Sequence, residues 1–294
     1  MSRFTTWLAG MTALILASAP ALAAGQCGRG GEFRAMTYNI RLDTPADGPN
    51  RWELRRDLFI AQIRLVRPAL LGLQEVVPGQ YADLKAALPD YAFVGGGRDD
   101  GMGRGEASPL AIERRTFAIV GQGMFWLSPT PERPSMGWDA AYPRIASWAR
   151  LVRRADGARL LAINTHWDHV GLEARRNSAL QLQGWIKAHQ RSDEAVVLLG
   201  DFNAPLSEAS LASLTGGGLT DARAAARESA VGSAITFNGF DPMPKSGETI
   251  DHILVSEKLG VTRYHVLGEH FDGRVASDHF AVVSDLFRPC PARK

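Results

Sequence analysis

Six times along this chain a short apolar run ends in a carboxylate, an amide or an imidazole. These ends fall at Asn39, at Glu75, at His166 with Asp168, at Asp201 with Asn203, at Asp251 with His252, and at Asp278 with His279. The runs include A-M-T-Y before Asn39, L-L-G-L before Gln74, L-L-A-I before Asn164 and V-V-L-L-G before Asp201. Such runs read as strands buried on both faces. A polar group at the mouth of a buried strand stands on rigid scaffold and faces a loop crevice, where sites are usually built. A single one could be a cap or a turn residue. Six in one chain point to a common site.

The rest of the pattern fits a mixed α/β domain. Strands are expected at 33–40, 69–73, 110–112, 117–127, 145–153, 159–164, 195–199, 250–255, 261–266 and 280–287. Helices are expected at 54–66, where Pro68 stops the chain, at 81–88 and at 172–189. Asp156-Gly157 marks a hairpin turn. Residues 95–105 form a glycine-rich loop and 128–143 a loop rich in Pro and Trp. The Trp126–Trp148 stretch reads as packing more than as a base-stacking platform. With no repeat and no linker, the expectation is one domain over residues 25–294, built of two packed mixed β-sheets flanked by helices in a four-layer sandwich.

The first 24 residues read as a secretory signal peptide. Arg3 gives a basic start, Leu8 to Pro20 is apolar but short, and Ala21-Leu22-Ala23 is a small-x-small cleavage signal. A retained anchor helix is the alternative. The expected location is the periplasm or the exterior, with cleavage near Ala23/Ala24. No other segment is apolar enough to cross a membrane. Lys+Arg 33 against Asp+Glu 31 leaves a net charge of +2, without the basic surplus that long nucleic acid usually requires. Two cysteines exclude a Cys-rich zinc module.

The residue types select the chemistry. Carboxylates and amides, with few imidazoles and no cysteine cluster, are hard oxygen donors. They suit Mg²⁺ or Mn²⁺, with Ca²⁺ as an alternative, better than Zn²⁺. Hard cations in such sites usually meet phosphate oxygens, and the neighbouring histidines offer proton transfer near neutral pH. Neither a Gly-x-Ser-x-Gly elbow nor a P-loop is present. The residues alone point to metal-assisted phosphoester hydrolysis. His252, next to Asp251, should face the other side of its strand and carries no catalytic role.

Taken together, T-Y-N-I-R (37–41), L-Q-E (73–75), N-T-H (164–166), G-D-F-N-A (200–204), I-D-H-I (250–253) and S-D-H-F (277–280) resemble the endonuclease/exonuclease/phosphatase superfamily, with its deoxyribonuclease-I-like fold. They run in the family's order and span nearly the whole mature chain, which is most similar to secreted bacterial members of the deadenylase-like branch. The resemblance implies a two-sheet sandwich with the site at one edge of the sheets. It makes Glu75 the principal metal ligand, with Asn39 beside it and Asp278 as a second ligand. Asp201 and Asn203 resemble the pair that orients the nucleophile and holds the phosphate. His279 resembles the catalytic histidine and Asp251 the carboxylate that orients it; sequence leaves open whether His279 or Asp201 is the base. His166 resembles a second active-site histidine, and Glu106 falls where a glutamate pairs with it. Arg144 is a candidate phosphate clamp and Asp168 a candidate substrate contact or helix cap. Arg41, where some nuclease members carry aspartate, joins them as a substrate-binding candidate.

The implied function is a secreted, divalent-metal-dependent phosphoesterase acting as a monomer, with no obligate protein partner. Nucleic acid, phospholipid or sphingolipid head groups, and sugar or inositol phosphates all remain open as substrates. A non-catalytic binding protein on the same fold is the alternative. A secreted chain with two cysteines is expected to join them. In the fold it resembles, the first and last strands are antiparallel neighbours, so a Cys27–Cys290 disulfide is expected.

Overall fold

The computed structural model describes residues 31–289. The expected signal peptide, Cys27 and Cys290 lie outside the described residues. In chain order the strands are β1 Phe33–Asn39, β2 Leu70–Gln74, β3 Tyr91–Val94, β4 Leu110–Glu113, β5 Phe117–Trp126, β6 Ile145–Arg153, β7 Arg159–His166, β8 Glu194–Asp201, β9 Leu219–Asp221, β10 Val231–Gly232, β11 Asp251–Ser256, β12 Gly260–Leu267 and β13 Ala281–Phe287. The helices are α1 Trp52–Val66, α2 Pro78–Ala87, α3 Leu172–His189, α4 Ala209–Gly216 and α5 Ala222–Ala225.

One sheet has the order β10-β12-β13-β1-β2-β4-β3 and the other β5-β6-β7-β8-β11-β9. Both are mixed. β1 runs parallel to β2 and antiparallel to β13, while β8 runs parallel to β7 and antiparallel to β11. Side-chain alternation explains why the central strands read as unbroken apolar runs. In β8, Ala195, Val197 and Leu199 join the core between the sheets, while Val196 and Leu198 pack outward against α3 and α4. In β1, Ala35 faces the sheet interface, and Met36 and Tyr38 face α1. With a helix layer on each outer face, neither side of these strands meets water.

In helix α1 the helically spaced apolar positions Leu54, Leu58, Ile63 and Val66 only partly mark the buried face. Leu54 is 52% exposed, and the buried stripe is Trp52, Arg55, Phe59, Ile60 and Ile63. The helix ends at Arg67, whose left-handed backbone (φ 50°) precedes Pro68. Arg55 is buried because it works as a backbone clamp. Its guanidinium donates to the carbonyls of Ile40 (2.6 Å), Arg41 (2.7 Å), Asn50 (2.8 Å) and Ala276 (3.0 Å), tying the end of β1 to the segment that carries Asp278 and His279.

The two sheets are also joined by a polar clamp at their interface. Asn164 of β7 donates to the carbonyls of Leu73 (2.7 Å) and Pro109 (3.0 Å), and its Oδ1 accepts from Gln74 Nε2 (2.7 Å). Gly72 is required beneath it, since a Cβ there would lie 2.5 Å from Asn164 Oδ1. The N-T-H motif thus contributes its asparagine to holding the sheets in register and its histidine to the strand mouth.

Candidate active site

The ends of β1, β2, β7 and β8, the start of β11 and the segment before β13 open on one cavity of about 570 Å³. Its lining includes Glu75, Asp201, Asn203, Asp278, His166 and His279. Seven non-glycine residues among those described have positive φ, and three of them, Arg41 (56°), Glu75 (61°) and Asn203 (49°), line this cavity. Left-handed backbone at such residues is costly and persists where the surroundings enforce it, commonly at functional sites. Here each follows a strand end and turns a side chain into the opening.

His279 is the hinge of the site's electrostatics. Its Nδ1 lies 2.8 Å from Asp251 Oδ2, and its Nε2 faces Asp201 Oδ2 at 3.8 Å. Burial works against the imidazolium, but Asp251 and Asp201 outweigh it and hold the ring well above its usual pKa. His279 therefore carries its proton at neutral pH. Asp201 is pushed up by burial and then by Asp251, against His279 and the Asn39 amide. The segment 236–238 braces this pair: Thr236 Oγ1 accepts from the Ile250 and Asp251 amides (2.9 and 3.1 Å), and Phe237 packs edge-on to the His279 ring at 5.2 Å.

Asn39 links the carboxylates. Its Nδ2 donates to Glu75 Oε1 (3.0 Å) and to Asp201 Oδ2 (2.9 Å), while the Leu42 amide holds Glu75 Oε2 (3.0 Å). Asp201 Oδ1 accepts from the Asn203 amide (2.9 Å), and Asn203 Nδ2 reaches His166 Nε2 (3.1 Å) and the Trp167 carbonyl (3.0 Å). Burial first, then Arg144, His279 and Arg98, hold His166 well below its ordinary pKa, so it is a neutral acceptor.

Two acidic groupings could take a cation. Asp201, Asp251 and His279 have ligand atoms within 4.8 Å of one another, but His279 Nδ1 is already committed to Asp251. Glu75 and Asp278 fit better. Both line the open cavity, and burial raises the Asp278 carboxyl, with Glu75 adding to the rise against His279 and Arg41. Two hard oxygen donors on the wall of one cavity suit Mg²⁺ or Mn²⁺.

The expected pairing of Glu106 with His166 is not what forms. Glu106 Oε1 instead meets Arg98 Nη2 at 2.7 Å, because Arg98 lies on the same loop and His166 is satisfied by Asn203. Asp168 sits behind the lining. Its Oδ2 holds Arg144 Nε (3.2 Å) and the Ala141 amide (3.1 Å), and its Oδ1 accepts from the Val170 and Gly171 amides (3.0 and 2.8 Å) at the start of α3. It therefore caps the turn and aims Arg144, which does line the cavity. Arg41 also lines it, fixed by Asp47 (2.9 and 3.0 Å) with Asp278 at 3.7 Å. His252 faces away from the cavity, as alternation requires, and Trp167 is core, packed on Phe202.

Sequence reasoning missed Arg98, Tyr142 and Phe237, and left His169 undecided; all four line the cavity. Arg98 lies 4.7 Å over the Tyr142 ring, which stacks against His169 at 6.1 Å; His169 Nδ1 in turn meets Arg144 Nη2 at 3.1 Å. They come from loops of unrelated composition, and only an aromatic residue amid polar neighbours signals them.

Residues 36–279 match the profile of the endonuclease/exonuclease/phosphatase family. The structure superposes on that of a mannosyl-6-phosphatase from Bacteroides thetaiotaomicron with a TM-score of 0.82 and 34% identity, covering 86% of this chain and 99% of that one. A protein of Acanthamoeba polyphaga mimivirus is 29% identical over 160 residues, 52% of this chain and 59% of its own. The 3'-5'-exoribonuclease subunit Ccr4 of the CCR4-Not complex of Coccidioides immitis is 30% identical over 170 residues, 48% of this chain and 22% of its own. The chain thus spans less than two thirds of these two curated relatives.

Proposed function

The chain belongs to the endonuclease/exonuclease/phosphatase family, and we propose that it is a secreted, divalent-metal-dependent phosphoesterase that releases phosphate from a sugar monophosphate. The observation that carries the phosphoesterase reading is the clamping of His279 between Asp251 and Asp201 at the cavity that also presents Glu75 and Asp278. The sugar-phosphate reading is supported by the likeness to the mannosyl-6-phosphatase over nearly its full length. The wall of Arg98, Tyr142 and His169 also supports it, since it offers guanidinium, hydroxyl and imidazole groups to a hydroxylated leaving group.

A divalent ion held by Glu75 and Asp278, with Asn39 beside them, would neutralise charge developing on the phosphate. The chain's own groups do the rest. Arg144, aimed by Asp168, and Arg41 bind phosphate oxygens. His279, protonated and oriented by Asp251, donates from Nε2 to a phosphate oxygen and stabilises its growing charge. Asp201 accepts the proton of the water whose oxygen bonds to phosphorus as the ester P–O bond breaks, and the departing alkoxide takes a proton from solvent. Asn203 holds Asp201 and His166 in place.

The test is a panel on purified full chain with Mg²⁺: mannose 6-phosphate, bis-p-nitrophenyl phosphate, a short oligonucleotide and sphingomyelin. Preferred release of phosphate from the sugar ester supports the proposal. Preferred cleavage of the oligonucleotide or the lipid moves the enzyme to that class. No hydrolysis of any ester favours a non-catalytic binding protein.

A further inference from the structure

Strand β11 turns Asp251 toward His279, behind the cavity lining, and His252 to the opposite face. There His252 meets a second cavity, of about 310 Å³, lined also by Asp221, Tyr264, Arg223 and Glu248. Asp221, His252 and Tyr264 are 3%, 1% and 2% exposed. Each has a buried polar atom with no hydrogen-bond partner among the described residues: Asp221 Oδ2, His252 Nδ1 and Tyr264 Oη. Buried polar atoms are nearly always satisfied; here Tyr264 Oη has no partner, and Asp221 Oδ2 and His252 Nδ1 face each other at 3.4 Å without a well-formed hydrogen bond, which makes this cavity wall a place for a ligand.

We propose that Asp221, His252 and Tyr264 form a second metal site, separate from the catalytic one, that takes a borderline divalent cation, Zn²⁺ before Mg²⁺. The hydrogen-bond geometry fixes the donor atoms. His252 Nε2 lies 3.1 Å from the Ala204 carbonyl, which can only accept, so Nε2 carries a proton. In the neutral ring with its proton on Nε2, Nδ1 turns its lone pair toward Asp221 Oδ2, 3.4 Å away. The carboxylate is held by its other oxygen, which accepts from the Arg223 amide at 2.9 Å. Two lone-pair atoms at that separation repel unless a proton or a metal cation lies between them. About 3.3–3.4 Å is also the edge of a tetrahedron whose metal–ligand bonds are about 2.0–2.1 Å, the lengths Zn²⁺ takes to imidazole nitrogen and carboxylate oxygen. A mixed nitrogen and oxygen donor set favours Zn²⁺, whereas the all-oxygen set at Glu75 and Asp278 favours Mg²⁺. The Nε2–H to carbonyl bond is the outer support that metal-bound imidazoles usually have. Tyr264 Oη, unpartnered on the wall of the same cavity, would supply a third oxygen, and water the remaining position. Such an ion would pin β9, β11 and β12 together behind Asp251.

The test uses the full chain, stripped of metal and kept in millimolar Mg²⁺ so that the catalytic site is filled. Zinc per chain is measured by mass spectrometry after dialysis, and Co²⁺ is added separately to read coordination from its visible absorption. One retained zinc per chain and a tetrahedral Co²⁺ spectrum are expected. Tyr264→Phe, which removes a single oxygen, should weaken zinc retention by about tenfold or more, and His252→Gln should abolish it. The Asp278→Asn chain should still hold its zinc, since that change touches only the catalytic cavity. Wild-type chain that retains no zinc would overturn the proposal and leave the pair as an imidazolium beside Asp221. Equal retention by His252→Gln would overturn it too.

Discussion

Asp251 matters to His279 for its charge more than for its shape. Asp251→Asn keeps the side-chain volume but removes the carboxylate that sits 2.8 Å from Nδ1 and holds the ring protonated. The expected result is a fall of about 10²–10⁴ in kcat/KM toward the preferred ester, with the His279 pKa moving down when followed by NMR. Asp168 bears on stability instead. Burial resists its charge, but the amides of Gly171, Val170 and Ala141, then Arg144, outweigh it and lower its carboxyl to about 2, from 3.8. A depressed carboxylate stabilises the fold above its unfolded pKa and loses that contribution as pH falls through the folded value. About 2 kcal/mol should therefore be present at neutral pH and vanish between about pH 4 and pH 2. Urea unfolding of wild type and Asp168→Asn across that window checks it: the difference between them should shrink as acid is added, and a constant difference would count against it. At this scale the sequence displayed the strand-end groups, because each ends an apolar run. It did not display their partners. Glu106 found Arg98 within its own loop, and Arg55, for which nothing in the sequence signals a role, serves four carbonyls.

Between elements, the Asn164 clamp is the contact most exposed to a single change. Asn164→Ala would remove the side-chain donor to the Leu73 and Pro109 carbonyls and the acceptor for Gln74 Nε2; the Pro109 carbonyl keeps the Leu73 amide (3.0 Å) and Gln74 Nε2 keeps Thr37 Oγ1 (3.0 Å), so the expected cost is about 1–3 kcal/mol in all. Gly72→Ala would push a Cβ onto Asn164 Oδ1 and should cost about 1–3 kcal/mol by overpacking. Both belong in denaturant titrations, where an unchanged midpoint would show that the sheets do not depend on the clamp. Long, periodic elements were legible: α3 spans its expected residues, and β6 and β7 turn at Asp156-Gly157. The misses were β3, β9, β10, α4 and α5, pieces too short to carry a period and held by the edges of sheets already formed. The misjudged face of α1 has a related cause, since Leu54 is apolar but points outward and the buried stripe includes an arginine.

At the scale of the molecule, two mixed sheets bring distant strand ends to one cavity, and the order of the motifs made that arrangement readable before any contact was known. Antiparallel pairing sets Phe33 of β1 opposite Leu286 of β13; Cys27 and Cys290 lie outside the described residues, and a disulfide between them is a proposal. Thiol titration of unreduced, denatured chain should find no free cysteine, and two reactive thiols per chain would refute the bond. The substrate-facing loops were the least legible part, because Tyr142, His169 and Phe237 are positioned by tertiary packing and follow no local pattern. The central claim is that this cavity hydrolyses a phosphate ester with a divalent ion and His279. The most direct measurement is phosphate release from mannose 6-phosphate by wild type and His279→Ala, each with Mg²⁺ and with excess EDTA. Expected are release by wild type in Mg²⁺, its loss in EDTA with recovery on adding Mg²⁺ back, and a fall of about 10²–10⁴ in the variant. Release that ignores EDTA, or a His279→Ala chain as active as wild type, would contradict the claim.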